Sequence, residues 1–370
     1  MYTVFLNATA LTSGGGLTTL KQFLENIPEE DDCTYYIFCS DSSLEQIFSK
    51  KYLHFVYPCF KTGIYRIYWD YIGLKKWSQK NKITPDLIIS MQNTTVCFQN
   101  DKIPQISYIM QAIPFVKYNW SLLKKQERSL WFYKYIYPFF MSRFLDQKHY
   151  VVTQSKWIKY EFAKKFNFPI NKIYSIRPLI KLNFTDKKID FSPDFYHIFC
   201  PSSPFKYKNN IEIVNALYHL KLTQRLPIKI KIYITINEID DIELLKKIQL
   251  FGLSEYFTFI GRICYEEMLK YYNSVDLVVF PSYLETFGLP LLEAASFGKP
   301  ILAANEAYCR EVISNYKGAT LIDVFNPEQW ANAIEMNIKR KQQYDRYQAN
   351  FEDSWKDFFI LIKKILNKEV

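Results

Sequence analysis

Short apolar runs and amphipathic helical periods alternate along nearly the whole chain, and the pattern restarts once, after residue 195. In the first half, Tyr2–Leu6, Tyr35–Cys39, Leu53–Tyr57, Asp86–Ser90, Pro104–Met110 and Tyr150–Thr153 read as strands. Helical periods lie at about 17–27, 64–80, 118–145 and 156–166, and "SGGG" at Ser13–Gly16 reads as a loop. Strand, loop and helix in repeated order imply parallel crossovers, hence a doubly wound α/β sheet. The stretch 178–195 is polar, contains two prolines and reads as a linker. Strand candidates then resume at His197–Pro201, Ile228–Ile236, Phe257–Ile260, Leu277–Pro281, Pro300–Ala304 and Ala319–Ile322. Helices are expected between and after them, at 209–222, 241–251, 265–273, 289–297, 307–315 and 327–340. The tail "SWKDFFILIKKILN", Ser354–Asn367, has its own apolar stripe. A length of 370 residues suits two domains. The expected organisation is a Rossmann-like domain over 1–180, a second over 181–345, and a terminal helical segment over 346–370. Two such domains in tandem leave a cleft, and open parallel sheets bind ligands at the carboxyl ends of their strands.

Seven cysteines (Cys33, Cys39, Cys59, Cys97, Cys200, Cys264, Cys309) include no CxxC pair, and most sit in apolar runs. They read as buried free thiols of a reducing compartment. "MYTVFLNATALTSGGG" has no basic region followed by a long apolar core, so it is not read as a signal peptide. No apolar run reaches the roughly 18 residues of a membrane span. The expected location is the cytoplasm. The charge of +10 is uneven: residues 1–180 hold 23 Lys and Arg against 13 Asp and Glu, while 181–370 hold 24 of each. Within 51–180 the count is 21 against 6, interleaved with aromatics as in "YRIYWDYIGLKKWSQKNK". Such a surface suits the anionic inner face of the cytoplasmic membrane, or is an ordinary solvated face with core aromatics. Nucleic acid is not expected, since no recognition motif accompanies the charge.

Against this background "FPSYLETFGLPLLEAASFGKP", Phe280–Pro300, places two glutamates, Glu285 and Glu293, around a Gly and a Pro. Glu285 lies in the loop after a strand, and Glu293 about one turn into a helix. Pro290 suits the first turn, and Gly298 with Pro300 ends the helix. The backbone N–H groups of Phe287, Gly288 and Leu289 then sit at a helix N-terminus, which favours a phosphate. Carboxylates on either side can accept hydrogen bonds from sugar hydroxyls. Both glutamates could instead simply favour a helix N-terminus.

The segment resembles the signature of retaining glycosyltransferases of family 4, which have the GT-B fold. Pro-Ser after a strand, Glu-x7-Glu, Phe-Gly-Leu-Pro and Gly-x-Pro all stand in order. "GRICYEEMLKYYNSVDLVVFPS" (Gly261–Ser282), which contains Arg262, resembles the run that precedes the signature. "VVTQSKWIKYEFAKKF" (Val151–Phe166) and the terminal helix also resemble family segments. The resemblance implies a GT-B chain: an N-terminal acceptor-binding domain, a C-terminal domain for a nucleotide-sugar donor, and a final helix crossing back to the first domain. It further implies that Glu285 contacts the donor sugar, Glu293 binds ribose, and the backbone at Phe287, Gly288 and Leu289 holds the diphosphate. Lys208, in "PSSPFKYKNN", falls where the family places a phosphate-binding lysine, followed by Asn209. Arg262 is counted with the donor-binding residues. The glycines Gly14, Gly15 and Gly16 match the family's N-terminal glycine loop.

Two positions depart from that pattern. Ser203 stands where the family usually has an Arg, and Lys206 is the candidate replacement. Gln111 stands where a His is common, which argues against a titrating relay; the four histidines form no mutual pattern. No Asp-x-Asp motif occurs, so no metal and no other cofactor is expected. The expected function is retaining transfer of a hexose from a UDP- or GDP-sugar to a glycan or lipid-linked glycan, in bacterial O-antigen or capsule biosynthesis. The alternatives are a catalytically weak nucleotide-sugar-binding protein of the same fold and a sugar-nucleotide epimerase.

Overall fold

The computed structural model describes residues 1–29, 32–58, 63–98, 103–177, 184–227, 229–348 and 354–370. Part of the expected linker (178–183) and Cys59 lie outside these. The chain divides into two compact units, Met1–Ile180 with Phe351–Val370, and Lys181–Asn350.

The first unit holds a parallel sheet of β1 (Tyr2–Asn7), β2 (Cys33–Phe38), β3 (Leu53–Val56), β4 (Leu87–Ser90), β5 (Gln105–Ile109), β6 (His149–Thr153) and β7 (Ile173–Ser175). The order is β3-β2-β1-β4-β5-β6-β7, with β1 paired to both β2 and β4. Every residue of β4 and β5 is buried, as expected for strands covered on both faces. The terminal helix Ser354–Leu366 completes this unit. Trp355, Phe358, Phe359 and Ile362 enter one core with Leu6, Phe23, Tyr35 and Tyr108. Burying each such side chain fully stabilises by roughly 1.5–3 kcal/mol, so an amphipathic stripe of this kind must find a partner.

The second unit repeats the scheme with β8 (Tyr196–Cys200), β9 (Ile230–Ile234), β10 (Phe257–Phe259), β11 (Leu277–Phe280), β12 (Ile301–Ala304) and β13 (Ala319–Ile322). Its order is β10-β9-β8-β11-β12-β13, all parallel. The residues before β8 are tied to this unit: Ile189 N donates to Ser274 Oγ at 2.7 Å, and Asn273 Nδ2 to the Thr185 carbonyl at 3.0 Å. At its far end Tyr347 N donates to the Ala295 carbonyl at 2.9 Å.

Several local expectations change. The glycine run is not a loop, because Gly14–Gly16 form the first turn of the helix Gly14–Glu25. The helix expected over 118–145 is two short ones, Arg128–Tyr135 and Tyr137–Ser142. Pro138 has no N–H to continue the first into the second, and the buried Glu127 accepts from Ser121 N at 2.7 Å, holding the chain ahead of them in a turn. The helix expected over 64–80 carries a π turn at Trp69–Gly73. Strand β7 and the helix Ser43–Ile47 were not apparent in the sequence pattern. Of the described cysteines, Cys33, Cys39, Cys200 and Cys309 are buried, whereas Cys264 is exposed. Burial pushes Cys39 and Cys200 up to about 12, which keeps them unreactive. Among the described residues, no helix is long and apolar enough to cross a membrane.

Candidate active site

In the second unit the chain order reverses between β8 and β11, which pair directly. A reversal of this kind opens a crevice at the carboxyl ends of the two strands. The loop after β8 brings Lys208 to that crevice in a 3-10 turn, Lys206–Lys208, and the loop after β11 brings Glu285. Lys208 Nζ donates to Glu285 Oε1 at 2.5 Å. The Ser282 hydroxyl donates to the same oxygen at 3.1 Å. The ammonium also lies 5.3 Å from the Phe280 ring centre, a cation–π contact. The two side chains are 15% and 20% exposed, so the pair is partly desolvated yet open to a ligand.

Local chemistry fixes both loops. Asn209 adopts a left-handed conformation (φ 54°), which Asn tolerates, and its Nδ2 donates to the Val324 carbonyl at 3.0 Å. Asn210 Oδ1 accepts from the Ser202 hydroxyl at 2.5 Å. Ser203 meets the same residue, its carbonyl accepting from Asn210 Nδ2 at 3.2 Å. Tyr283 N donates to the Tyr207 carbonyl at 2.9 Å, joining the loop of Glu285 to that of Lys208.

The helix Leu289–Ser296 follows at once, with Pro290 in its first turn. Gly288 precedes it at φ 87°, a conformation L side chains rarely adopt. A Cβ there would lie 2.8 Å from Tyr308 Cδ2. Tyr308, buried on the helix Ala307–Ile313, donates its hydroxyl to the Ser282 carbonyl at 2.6 Å. This one side chain therefore braces the loop of Glu285 and packs on the glycine that opens the helix. Sequence reasoning missed Tyr308, since nothing in its local pattern sets it apart from a core tyrosine.

Glu293 lies on the fifth residue of the helix. Burial raises its pKa, and the neighbouring Tyr272 hydroxyl opposes that rise from outside good hydrogen-bond geometry. The Phe287 side chain is buried, so the backbone is what it can offer a ligand, while Leu289 is exposed. Lys206 and Arg262 are exposed, Arg262 in the connection between β10 and the helix Tyr265–Ser274. Gly15, Gly16 and Gln111 belong to the first unit. Gly15 and Gly16 follow β1, whose neighbour β4 marks the reversal of order in that sheet. A Cβ on Gly15 would meet nothing within 4 Å, so this turn is open on that side. Gln111 follows β5, and its Oε1 accepts from Ile113 N at 3.1 Å, starting the turn Ile113–Phe115. Among the described residues, no three or more His, Cys, Asp and Glu side chains gather to hold a metal.

Two parallel Rossmann-like sheets, each with its reversal beside the first strand, define the GT-B architecture. The chain superimposes with a TM-score of 0.64 on the lipopolysaccharide outer core galactosyltransferase WaaB, covering all of both chains at 12% identity. It superimposes with a TM-score of 0.62 on Anabaena Alr3699/HepE, solved in complex with UDP, covering 92% of this chain and 91% of that one at 16% identity. Residues 184–353, which lie almost wholly in the second unit, match the family Glycosyl transferases group 1. A curated relative, D-inositol 3-phosphate glycosyltransferase of Paenarthrobacter aurescens strain TC1, is 28% identical over 167 residues. That match covers 44% of this chain and 41% of the relative, so it spans less than half of either.

Proposed function

We propose that this protein is a retaining glycosyltransferase that takes a hexose from a UDP- or GDP-sugar and passes it to a glycan or lipid-linked glycan acceptor. The observation that carries the reading is the Lys208–Glu285 pair at the crevice between β8 and β11, with Glu285 three residues before Gly288 and its helix. A donor diphosphate at that helix N-terminus would meet backbone N–H groups and the Lys208 ammonium together. Lys208 would then share its charge between Glu285 and the phosphates, and offset the charge that builds on the departing diphosphate. Glu285 would orient the sugar and stabilise positive character at its anomeric carbon. Glu293 would accept from ribose hydroxyls. The donor class is supported by the UDP complex of Anabaena Alr3699/HepE.

The proposed mechanism is front-face transfer, in which the leaving diphosphate takes the acceptor's proton and the protein contributes positioning and charge. No metal is proposed, so activity should withstand a chelator. For the acceptor we favour a lipid-linked intermediate of a bacterial O-antigen or capsule, reached from the cytoplasm at an anionic membrane. A lipopolysaccharide-modifying neighbour and the basic 51–180 segment support that choice.

The test is a melting-temperature panel with UDP, GDP, ADP and CMP, alone and with sugars attached. A ligand that binds only the folded state raises the melting temperature. A shift with UDP or GDP that shrinks in Glu293→Ala supports the reading. No shift with any nucleotide would leave only the fold.

A further inference from the structure

The first unit carries two helical segments whose outer faces the transfer chemistry does not use. In residues 63–81, Trp69, Asp70, Gly73, Leu74 and Ser78 point inward and are buried. Outward, Ile64 (74% exposed), Tyr68 and Ile72 recur every fourth residue and lead to exposed Lys76 and Lys80 at the same spacing. The π turn Trp69–Gly73 widens the spiral and keeps this stripe near one line. In residues 128–144, exposed Phe132, Ile136 and Phe139 lead in the same way to exposed Arg143. The segments lie side by side: Tyr71 contacts the rings of Phe140 and Phe144, with centroids 6.5 and 4.6 Å apart, and Arg66 donates to the Tyr137 hydroxyl at 3.0 Å. The loop before the second segment adds Leu123, 89% exposed, beside exposed Lys124 and Lys125.

Cations rest on the exposed rings. Lys76 Nζ lies 5.9 Å from the Tyr68 centroid, and the Arg143 guanidinium 5.9 Å from that of Phe139. The acids of these stretches, Asp70 and Glu127, are both buried, so residues 63–81 and 121–144 expose no carboxylate. A stripe of exposed aliphatic and aromatic side chains ending in cations, with no exposed carboxylate within residues 63–81 and 121–144, matches the depth profile of an anionic bilayer. Apolar side chains enter the acyl boundary, rings sit at the headgroups, and Lys and Arg meet lipid phosphates. Nucleic acid would use the rings and cations but not Ile64, Ile72, Leu123 or Ile136.

We propose that this paired face is a docking surface for an anionic lipid bilayer, with Ile64, Ile72, Leu123 and Phe139 inserting and Lys76, Lys80, Lys125 and Arg143 contacting phosphates. It deepens the lipid-linked acceptor reading, on which it rests for its purpose, and it is tested without turnover. The full chain is sedimented with vesicles of phosphatidylcholine, with and without about 30 mol% of the anionic lipid phosphatidylglycerol, at low and high salt. Binding is expected only with the anionic lipid, weakening as salt rises. Each Lys or Arg at such a surface contributes about fivefold to partitioning. The combined variant Lys76→Gln, Lys80→Gln, Lys125→Gln, Arg143→Gln should therefore lose at least a hundredfold. Ile64→Ser with Phe139→Ser should lose at least tenfold at unchanged charge. All these positions are exposed, and melting temperatures are recorded to establish that each variant is folded.

No binding by the parent chain, equal binding to both lipids, or binding unchanged in both variants would overturn the proposal. Retention on soluble dextran sulfate without vesicle binding would also overturn it, assigning the face to an acidic polymer or protein. Nucleotide-induced melting shifts on the same samples report separately on the transferase reading, so the failure of one is distinguishable from the failure of the other.

Discussion

Lys208 and Glu285 lie 77 residues apart in the chain, yet their side chains meet at 2.5 Å at the crevice between two adjacent strands. The pair joins the two halves of the second sheet across its reversal. If Glu285 acts on the donor sugar in the transition state, Glu285→Gln should lower kcat about hundredfold or more while the donor KM changes little. Steady-state kinetics with the donor found in the melting panel decide this; near-parental kcat would remove Glu285 from that role.

The same pair makes a stability prediction. Lys208→Met leaves the Glu285 carboxylate with the Ser282 hydroxyl and no cation, at a cost of roughly 1–3 kcal/mol. The double variant Lys208→Met/Glu285→Gln should recover most of that loss, because no partly buried charge is then left alone. Urea unfolding of the two single variants and the double variant measures the coupling. Additive effects would mean the contact contributes little.

Glu293 should trade stability for binding. Burial raises its pKa, so ionisation is disfavoured in the folded state. Such a carboxyl costs stability when ionised near neutrality, and the cost is relieved as pH falls from the raised folded pKa towards the unfolded value. Glu293→Gln is therefore expected to melt higher than the parent at pH 7, with a gap that narrows as pH falls. It should also show a smaller nucleotide-induced shift. A lower melting point with an undiminished nucleotide shift would assign Glu293 to structure alone.

Gly288 answers to two constraints, its φ of 87° and the 2.8 Å approach of Tyr308 to a would-be Cβ. Gly288→Ala should cost about 2 kcal/mol or more. In a Tyr308→Ala background the steric part disappears while the backbone part stays, so the substitution should cost less there than in the parent. Equal costs in both backgrounds would show that the ring gives way freely.

Lys299 provides a pH test away from the crevice. It is 7% exposed, donates to the Asn273 carbonyl at 3.1 Å, and burial lowers its pKa to about 8, with Asp276 opposing and Lys188 and Arg346 reinforcing the shift. The unfolded chain then binds more protons than the folded one between about pH 8 and the unfolded lysine value. The parent should accordingly gain roughly 1 kcal/mol between pH 7 and pH 9 relative to Lys299→Met. Unfolding the two proteins in parallel cancels the contribution of every other titrating group, and a flat difference would place the ammonium in water.

Much of the architecture follows from local sequence. Alternating short apolar runs and helical periods are enough to call for two parallel sheets, because only buried crossovers satisfy both kinds of segment. Pro290 and Gly298 mark the ends of the helix Leu289–Ser296 to within about a residue, since a missing N–H and a left-handed φ act within one turn. The amphipathic stripe of residues 354–366 announces a helix that must be buried, though not where. What local pattern could not supply was decided by packing over long separations: Trp355 settling against Phe23 and Tyr108, the ion pair of Lys208 with Glu285, and Tyr308 reaching both Ser282 and Gly288. The break in the helix expected over 118–145 and the π turn at Trp69 belong there too, for each depends on a buried partner, Glu127 to the Ser121 backbone and Asp70 to Asn7. Sequence periodicity determines which face of an element must be covered; the tertiary structure decides which distant side chain covers it, because contact energies at a site depend on three-dimensional distance and not on separation along the chain.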